Sequence, residues 1–347
     1  MTNDRFQNKV AKKLNEIPFS VLDLAPVIEG STPAIAFKNS LDLAQHAEKW
    51  GYNRYWFAEH HNMPAVASSA TSLVIGHIAN GTSTIRVGSG GIMLPNHPPL
   101  VIAEQFGTLE SLYPGRIDLG LGRAPGSDML TSRALRRDLR GGEDFPALLN
   151  ELRSYFDPSL GDGNPVQAVP GEGLNIPIWL LGSSGFSAQL AAELGLPFAF
   201  AAHFAPDYTI QAMKIYQNYF KPSDVLDEPY AMIGLNVVVA DTDEEAKRLF
   251  TTQQQSFLNM IRGGKPTLLK PPVDNMDEIW TPFEKQTLEN QFRLSAIGNP
   301  ETVKTKLQTI LNATKVDEII VNGSVFDHSA RLYSYELLSK SVELNKN

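Results

Sequence analysis

Three ionisable side chains stand in a row at Glu59-His60-His61, directly after the apolar run Tyr55-Trp56-Phe57-Ala58. A histidine so placed can act as a base or a hydrogen-bond donor near neutral pH. Consecutive strand residues point to opposite faces, so only one of two neighbours can look into a given cavity, and a metal pair is disfavoured. Two readings stay open: a catalytic role for His60 with Glu59 beside it, or a strand end that faces water and backbone. Further on, Gly88-Ser89-Gly90-Gly91 places glycines inside a β-branched stretch, which marks a bend, a bulge or a ligand lying against the main chain. The run Gly120-Leu121-Gly122-Arg123-Ala124-Pro125-Gly126 has only a superficial likeness to a dinucleotide fingerprint, because Pro125 takes the place of the third glycine. What remains is Arg123 at a strand end and Arg133 early in the next helical pattern. Either can hold an anion or pair with surface carboxylates. The small residues of Gly182-Ser183-Ser184-Gly185-Phe186-Ser187 precede a helix, where free N–H groups and hydroxyls suit a phosphate. Ordinary serine capping has the same composition.

These residues need a scaffold that gathers strand ends. Eight β-branched or aromatic runs alternate with helical patterns, beginning near Phe19, Tyr52, Thr84, Arg116, Ile176, Pro197, Tyr230 and Val316. Such alternation reads as parallel βαβ units, and eight of them predict an α/β fold, a (β/α)8 TIM barrel. Working residues in that architecture lie at the C-terminal strand ends. Helix starts are signalled by Asn299-Pro300-Glu301, where Asn can cap and Pro takes the first helical position, and by Asp241-Thr242-Asp243-Glu244-Glu245, whose acidic residues suit the positive end of a helix dipole. Leu41, Ala44, Ala47 and Trp50 define the expected buried face of one outer helix, and Phe6, Val10 and Leu14 a short helix near the N-terminus. A barrel takes roughly 250 residues, so this chain of 347 carries insertions. The two candidates are 157–175, rich in Gly, Pro and Asp, and 262–298. No repeat or linker interrupts the pattern, which predicts one domain over 1–347 with 262–298 as a mobile lid.

Composition narrows the function classes. The chain has no cysteine, which excludes thiol catalysis, iron–sulfur clusters and thiolate zinc, and fits a reducing compartment. With 30 Lys+Arg against 38 Asp+Glu the formal charge is −8, which works against nucleic acid and anionic lipid as partners. No apolar run approaches the roughly 18 residues of a membrane span. The charged N-terminus does not suit export, so the expected location is the cytoplasm. No metal site is expected.

The pieces WFAEHH from Trp56, VGSGGIMLP from Val87, HPPLVIAEQFGTLESLYPGRIDLGLGR from His97, SRALRR from Ser132 and AAELGLP from Ala191 together resemble the bacterial luciferase-like, flavin-dependent monooxygenases, in their alkanal-monooxygenase-like branch. The resemblance spans nearly the whole chain. It implies reduced FMN as cofactor, O2 as co-substrate, a flavin C4a-peroxide, and an organic substrate, a long-chain aldehyde in that branch. By position it makes His60 the histidine near the flavin ring and Gly90-Gly91 the pair that carries a non-prolyl cis peptide under the ring. Arg123, Arg133, Ser184 and Ser187 become phosphate ligands, with Ser183 replacing a glutamate there. It also implies a homodimer and a closing segment at 262–298, and because the sequence shows no dinucleotide motif a separate flavin reductase is expected to supply the reduced flavin. Gly122 stands where the luciferase alpha subunit has a reactive cysteine, and light emission is not implied. Competing readings are a hydride-transferring reductase that uses deazaflavin F420, a flavin-binding protein without turnover, and a barrel hydrolase using Glu59 and Glu104.

Overall fold

The computed structural model describes residues 4–124, 128–136, 144–160 and 165–344. Pro125, Gly126, Arg137 and residues 161–164 of the segments named above lie outside them. Ten strands form: β1 (Phe19–Asp23), β2 (Arg54–Phe57), β3 (Arg86–Ser89), β4 (Ile92–Met93), β5 (Ile117–Gly122), β6 (Ile178–Gly182), β7 (Phe198–Phe200), β8 (Ala231–Val239), β9 (Ala296–Gly298) and β10 (Glu318–Asn322). Every strand pairing is parallel. The order β1-β2-β3-β5-β6-β7-β8-β10 closes when β10 pairs with both β8 and β1. All eight runs expected from sequence supply the barrel strands, each buried on both faces and therefore apolar almost throughout. The third run breaks at its glycines into β3 and the short β4.

Between barrel and helices runs one large apolar core, which includes Val21, Tyr55, Val87, Leu119, Leu180, Phe198, Ile233 and Ile319. The helix Pro33–Lys49 buries Ala36, Ser40, Leu43, Ala44 and Ala47. Leu41 and Trp50, expected on that face, sit at its margin. Near the N-terminus, among the described residues, only Arg5–Asn8 is α-helical; Phe6 and Leu14 are buried, whereas Val10 is exposed, so the helical spacing does not extend through all three. Asn299 caps its helix as the sequence indicated, the acidic residues Asp243, Glu244 and Glu245 fill the first turn of theirs, and Thr242 is the cap there.

A second, separate cluster fills the inside of the barrel: Leu22, Trp56, Ala58, Trp179, Ala199, Met232 and Ile320. Below it, at the N-terminal ends of the strands, lies charge. Arg54 reaches Asp118 at 2.7 Å and Glu318 at 3.1 Å, and Arg86 reaches Asp118 at 2.6 Å. Tyr230 donates to Glu318 at 2.9 Å, Trp56 Nε1 donates to Asp118 at 3.1 Å, and Ser20 also donates to Glu318. Burial alone would strip the Arg54 charge, but Glu318 and Asp118 hold its pKa above the usual value.

The 262–298 segment is built rather than featureless. It contains the helix Pro282–Gln291 and a ninth parallel strand, β9, which extends the far end of β8; sequence reading had missed that strand. Met276, Leu288 and Phe292 pack on Phe250, Leu249 and Leu258 in a small core of their own. Two anchors tie the segment to the barrel mouth. Leu269 exchanges backbone bonds with Val27 and Glu29 just beyond β1, at 3.1 and 2.8 Å, and Gln291 Nε2 donates to Phe204 O beyond β7 at 2.8 Å.

Close strand packing gives the first test. A Cβ on Gly120 would stand 2.0 Å from the Ser89 carbonyl oxygen, backbone that cannot swing aside. Gly120→Ala is expected to destabilise the protein by about 1–3 kcal/mol or more, read by urea unfolding; an unchanged midpoint would show that β3 and β5 tolerate separation.

Candidate active site at the barrel mouth

Alternation from the interior cluster fixes which residues line the upper end. Continuing inward from Trp56, Leu181, Ala199 and Met232 gives Ala58, Ser183, Ala201 and Gly234, and the glycine-rich strands add Gly90 and Gly122. None of these six exceeds serine in size. The floor is therefore tryptophan and methionine, Leu24 and Asn322 follow Leu22 and Ile320 on the remaining two strands, and Leu22, Met93 and His203 take the space left at Gly90, Gly122 and Gly234.

His60 continues the inward series of Trp56 and Ala58, while Glu59 and His61 take the outer face. Glu59 and His61 are hydrogen-bonded to each other, whereas His60 stands near His203. Glu59 is 1% exposed. Its carboxylate accepts from His61 Nε2 (2.8 Å), His97 Nε2 (2.9 Å), Asn96 Nδ2 (3.0 Å) and the Met93 N–H (3.0 Å). Burial would push this carboxyl up, but the bonds from His61 and His97 outweigh it and hold the pKa at about 2. Glu59, expected beside His60 in a catalytic role, fastens the loop after β2 to the turn after β4 through these bonds. Glu104, its partner in the hydrolase reading, lies on the outer helix Pro99–Leu112 and is not among these contacts.

The Gly90–Gly91 peptide is cis. Gly91 is buried and Gly90 half-buried. What approaches these glycines closely is mainly the protein itself: a Cβ on Gly88 would lie 2.5 Å from Asp118 O, and one on Gly91 2.6 Å from Gly120 O. Gly90 would meet the Leu22 side chain at 2.9 Å. Strand packing thus accounts for Gly88 and Gly91, and Gly90 is left to present backbone at the mouth.

Beyond β6, Ser184 is the N-cap of the helix Gly185–Leu194, yet its side chain makes no capping bond. Ser187 is buried against Gly182, where a Cβ would come within 2.6 Å of it. Arg123 lies over the Phe186 ring, 4.3 Å from its centroid. One cation, a hydroxyl not used for capping and the free N–H groups of a first turn thus meet at one place, which suits a phosphate monoester. Arg133 is not brought to this group by any contact among the described residues. It is exposed on the short helix Met129–Ala134, which is tethered to the loop after His61 by a 2.9 Å bond from Asn62 to Asp128.

One mouth residue escaped sequence reading. His203 follows β7 by three positions, and the apolar run from Pro197 stops at Ala202, one residue short. Burial lowers its pKa to about 4, the Gly234 carbonyl opposes that, and nearby His60 adds to the lowering. An open groove of about 800 Å³ lies elsewhere, between the helix Asp243–Ile261 and 274–297, and none of the candidate residues lines it.

The Glu59 cluster predicts a pH dependence. A carboxyl held near 2 in the fold, against 4.5 for the free group, adds stability that is complete above about pH 4.5 and lost as pH falls through 2. The stability gap between wild type and Glu59→Gln should shrink by about 3 kcal/mol between about pH 6 and pH 2. Urea unfolding across that range checks it, and a gap independent of pH would remove the assignment.

A family model described as luciferase-like monooxygenase matches residues 17–318. The Bacillus subtilis (strain 168) protein YvbT is 61% identical over 320 residues, covering 92% of this chain and 95% of YvbT. An Escherichia coli (strain K12) luciferase-like monooxygenase is 57% identical over 323 residues, 92% of this chain and 96% of its own. The solved structure of apo-MsnO8 superposes with a TM-score of 0.84 at 36% identity, covering 96% of this chain and all of that one. In fold alone the chain is also similar to the oxygenating constituent of 3,6-diketocamphane monooxygenase in complex with FMN (TM-score 0.70, 17% identity, 94% and 98% covered) and to an F420-dependent secondary alcohol dehydrogenase (0.67, 14%, 94% and 99%).

Proposed function

The chain belongs to the luciferase-like monooxygenase family, and from that premise we propose that it is an FMN-dependent monooxygenase using reduced FMN and O2 to oxidise an organic substrate, with long-chain aldehydes as the first class to test. The observation that carries the reading is the meeting of Arg123 with the start of the Gly185–Leu194 helix, where the Ser184 hydroxyl is not spent on capping. Ser184, Ser187 and Arg123 would hold the phosphate. Ser183 and the half-buried Gly90, with Gly91 behind it, would border the ring. Arg133 is kept as a further phosphate ligand only if its helix swings inward.

Bound reduced flavin supplies the electrons that activate O2, and the protein's part is to orient and to exclude water. His60, on the inner face, would hold or move a proton beside the ring. Exposed Phe186, Phe204, Met129 and Leu130 give the neighbouring loops an apolar border suited to an alkyl chain. The segment 262–298, seated on the loops after β1 and β7, would be the lid over that opening. A separate reductase would deliver the flavin, and the working form would be a cytoplasmic homodimer.

The F420 reading draws on a neighbour in fold. A long anionic tail needs several cations, whereas among the described residues Arg123 is the cation in contact with that helix start. One phosphate fits better.

Titration with FMN, followed by oxygen uptake with reduced FMN and a panel of aldehydes, tests the proposal; turnover without oxygen would support the F420 enzyme instead. Loss of one charge-assisted contact in Arg123→Ala should weaken FMN binding roughly tenfold to a hundredfold, and unchanged affinity would take Arg123 out of the site. His60→Ala should lower kcat by about a hundredfold or more while FMN affinity changes little; equal losses in both would make His60 structural.

A further inference from the structure

β2 and β7 lie four places apart in the eight-membered ring, on opposite sides of the barrel. His60 and His203 follow them, and His60 stands near enough to bear on the protonation of His203 from the opposite side of the mouth. The position of the second ring is built in. A Cβ on Gly234 would stand 2.6 Å from His203 Nδ1 and 2.9 Å from Cε1, with Ile320 Cγ2 at 3.7 Å. Gly234 continues the inward series of Met232, so the absence of a side chain there makes space for this ring inside the barrel.

The backbone of His203 is fixed as well. Its N–H donates to Gly234 O at 2.8 Å, and its carbonyl accepts from Asn236 Nδ2 and Gln291 Nε2, each at 3.5 Å. The ring, by contrast, has capacity to spare. Nδ1 is buried beside Gly234, whose carbonyl bears on the ring without a hydrogen bond of good geometry forming, while the residue as a whole keeps partial exposure at the mouth. A histidine kept only for structure normally spends its nitrogens on neighbours. One that is locked in place, uncharged at neutral pH and underused is prepared for a ligand.

We propose that His203 is a binding residue for the organic substrate, its imidazole hydrogen-bonding the substrate's polar group across the mouth from His60. The inference rests on the monooxygenase reading for the identity of that substrate. Phe204, the next residue, is exposed at the rim, where it would meet the apolar remainder of the same molecule.

The test uses the full chain with three variants: His203→Leu, which keeps bulk and removes hydrogen bonding; His203→Gln, which keeps hydrogen bonding; and Gly234→Ala, which leaves the imidazole present but displaces it. Binding of 1-decanol, an unreactive probe, is measured by calorimetry, and KM for decanal is measured with reduced FMN and O2. His203→Leu and Gly234→Ala should weaken decanol binding and raise KM about three- to tenfold, the worth of one neutral hydrogen bond. His203→Gln should recover most of the loss, and FMN affinity should stay within about twofold throughout. A His203→Leu protein that matches wild type towards both probes, including the case in which neither binds, overturns the inference. Loss of FMN affinity in step with decanol affinity, without rescue by glutamine, overturns it too by making His203 part of the scaffold. If wild type fails to bind FMN, the flavin reading falls, and the decanol comparison still decides His203.

Discussion

Arg54 holds Asp118 and Glu318 together inside the lower end of the barrel, with Arg86, Tyr230, Trp56 and Ser20 completing their hydrogen bonds. Both carboxylates are fully buried. Such a network is stable only while every member is paired, and removing one partner from a buried pair costs about 3–5 kcal/mol. Its consequence is spatial. Charge and tyrosine fill the base, tryptophans and aliphatic side chains fill the middle, and most of the residues next above them, Ala58, Gly90, Gly122, Ser183, Ala201 and Gly234, are small. The one end of the cylinder left open to a ligand is the end where the loops converge.

Much of this was legible in the sequence because burial on both faces leaves a plain signature. Each barrel strand is a short apolar run between helical patterns, and all eight could be read. β9 could not, since Ala296-Ile297-Gly298 is three residues long and pairs only with the overhanging end of β8. At the site, alternation showed only that neighbours in Glu59-His60-His61 cannot all face one cavity, and the resemblance pointed to His60. The partners that settle what Glu59 does, Asn96 and His97, lie 37 and 38 positions away, and no local pattern announces them. Arg123 was readable as a strand-end cation, while Arg133 depends on where a short exposed helix lies. His203 was missed by one position. The rule that made His60 a candidate, a histidine just past a barrel strand, applies to it equally.

Glycine does two jobs at this mouth. At Gly91 and Gly120 it lets adjacent backbones approach more closely than any Cβ would permit, and at Gly234 it makes space for another residue's ring. Sequence alone shows only that glycine is present. Which atom takes the space left by the missing side chain decides whether the position serves strand packing or the site.

The outlying unit around Phe250, Leu288 and Phe292 satisfies its own apolar residues, and it meets the barrel through a strand extension and a few polar ties. Such an annex can be rebuilt, lengthened or exchanged without repacking the cylinder beneath it. Divergence in this scaffold can therefore proceed by remodelling a self-contained annex while the foundations of the cylinder stay untouched.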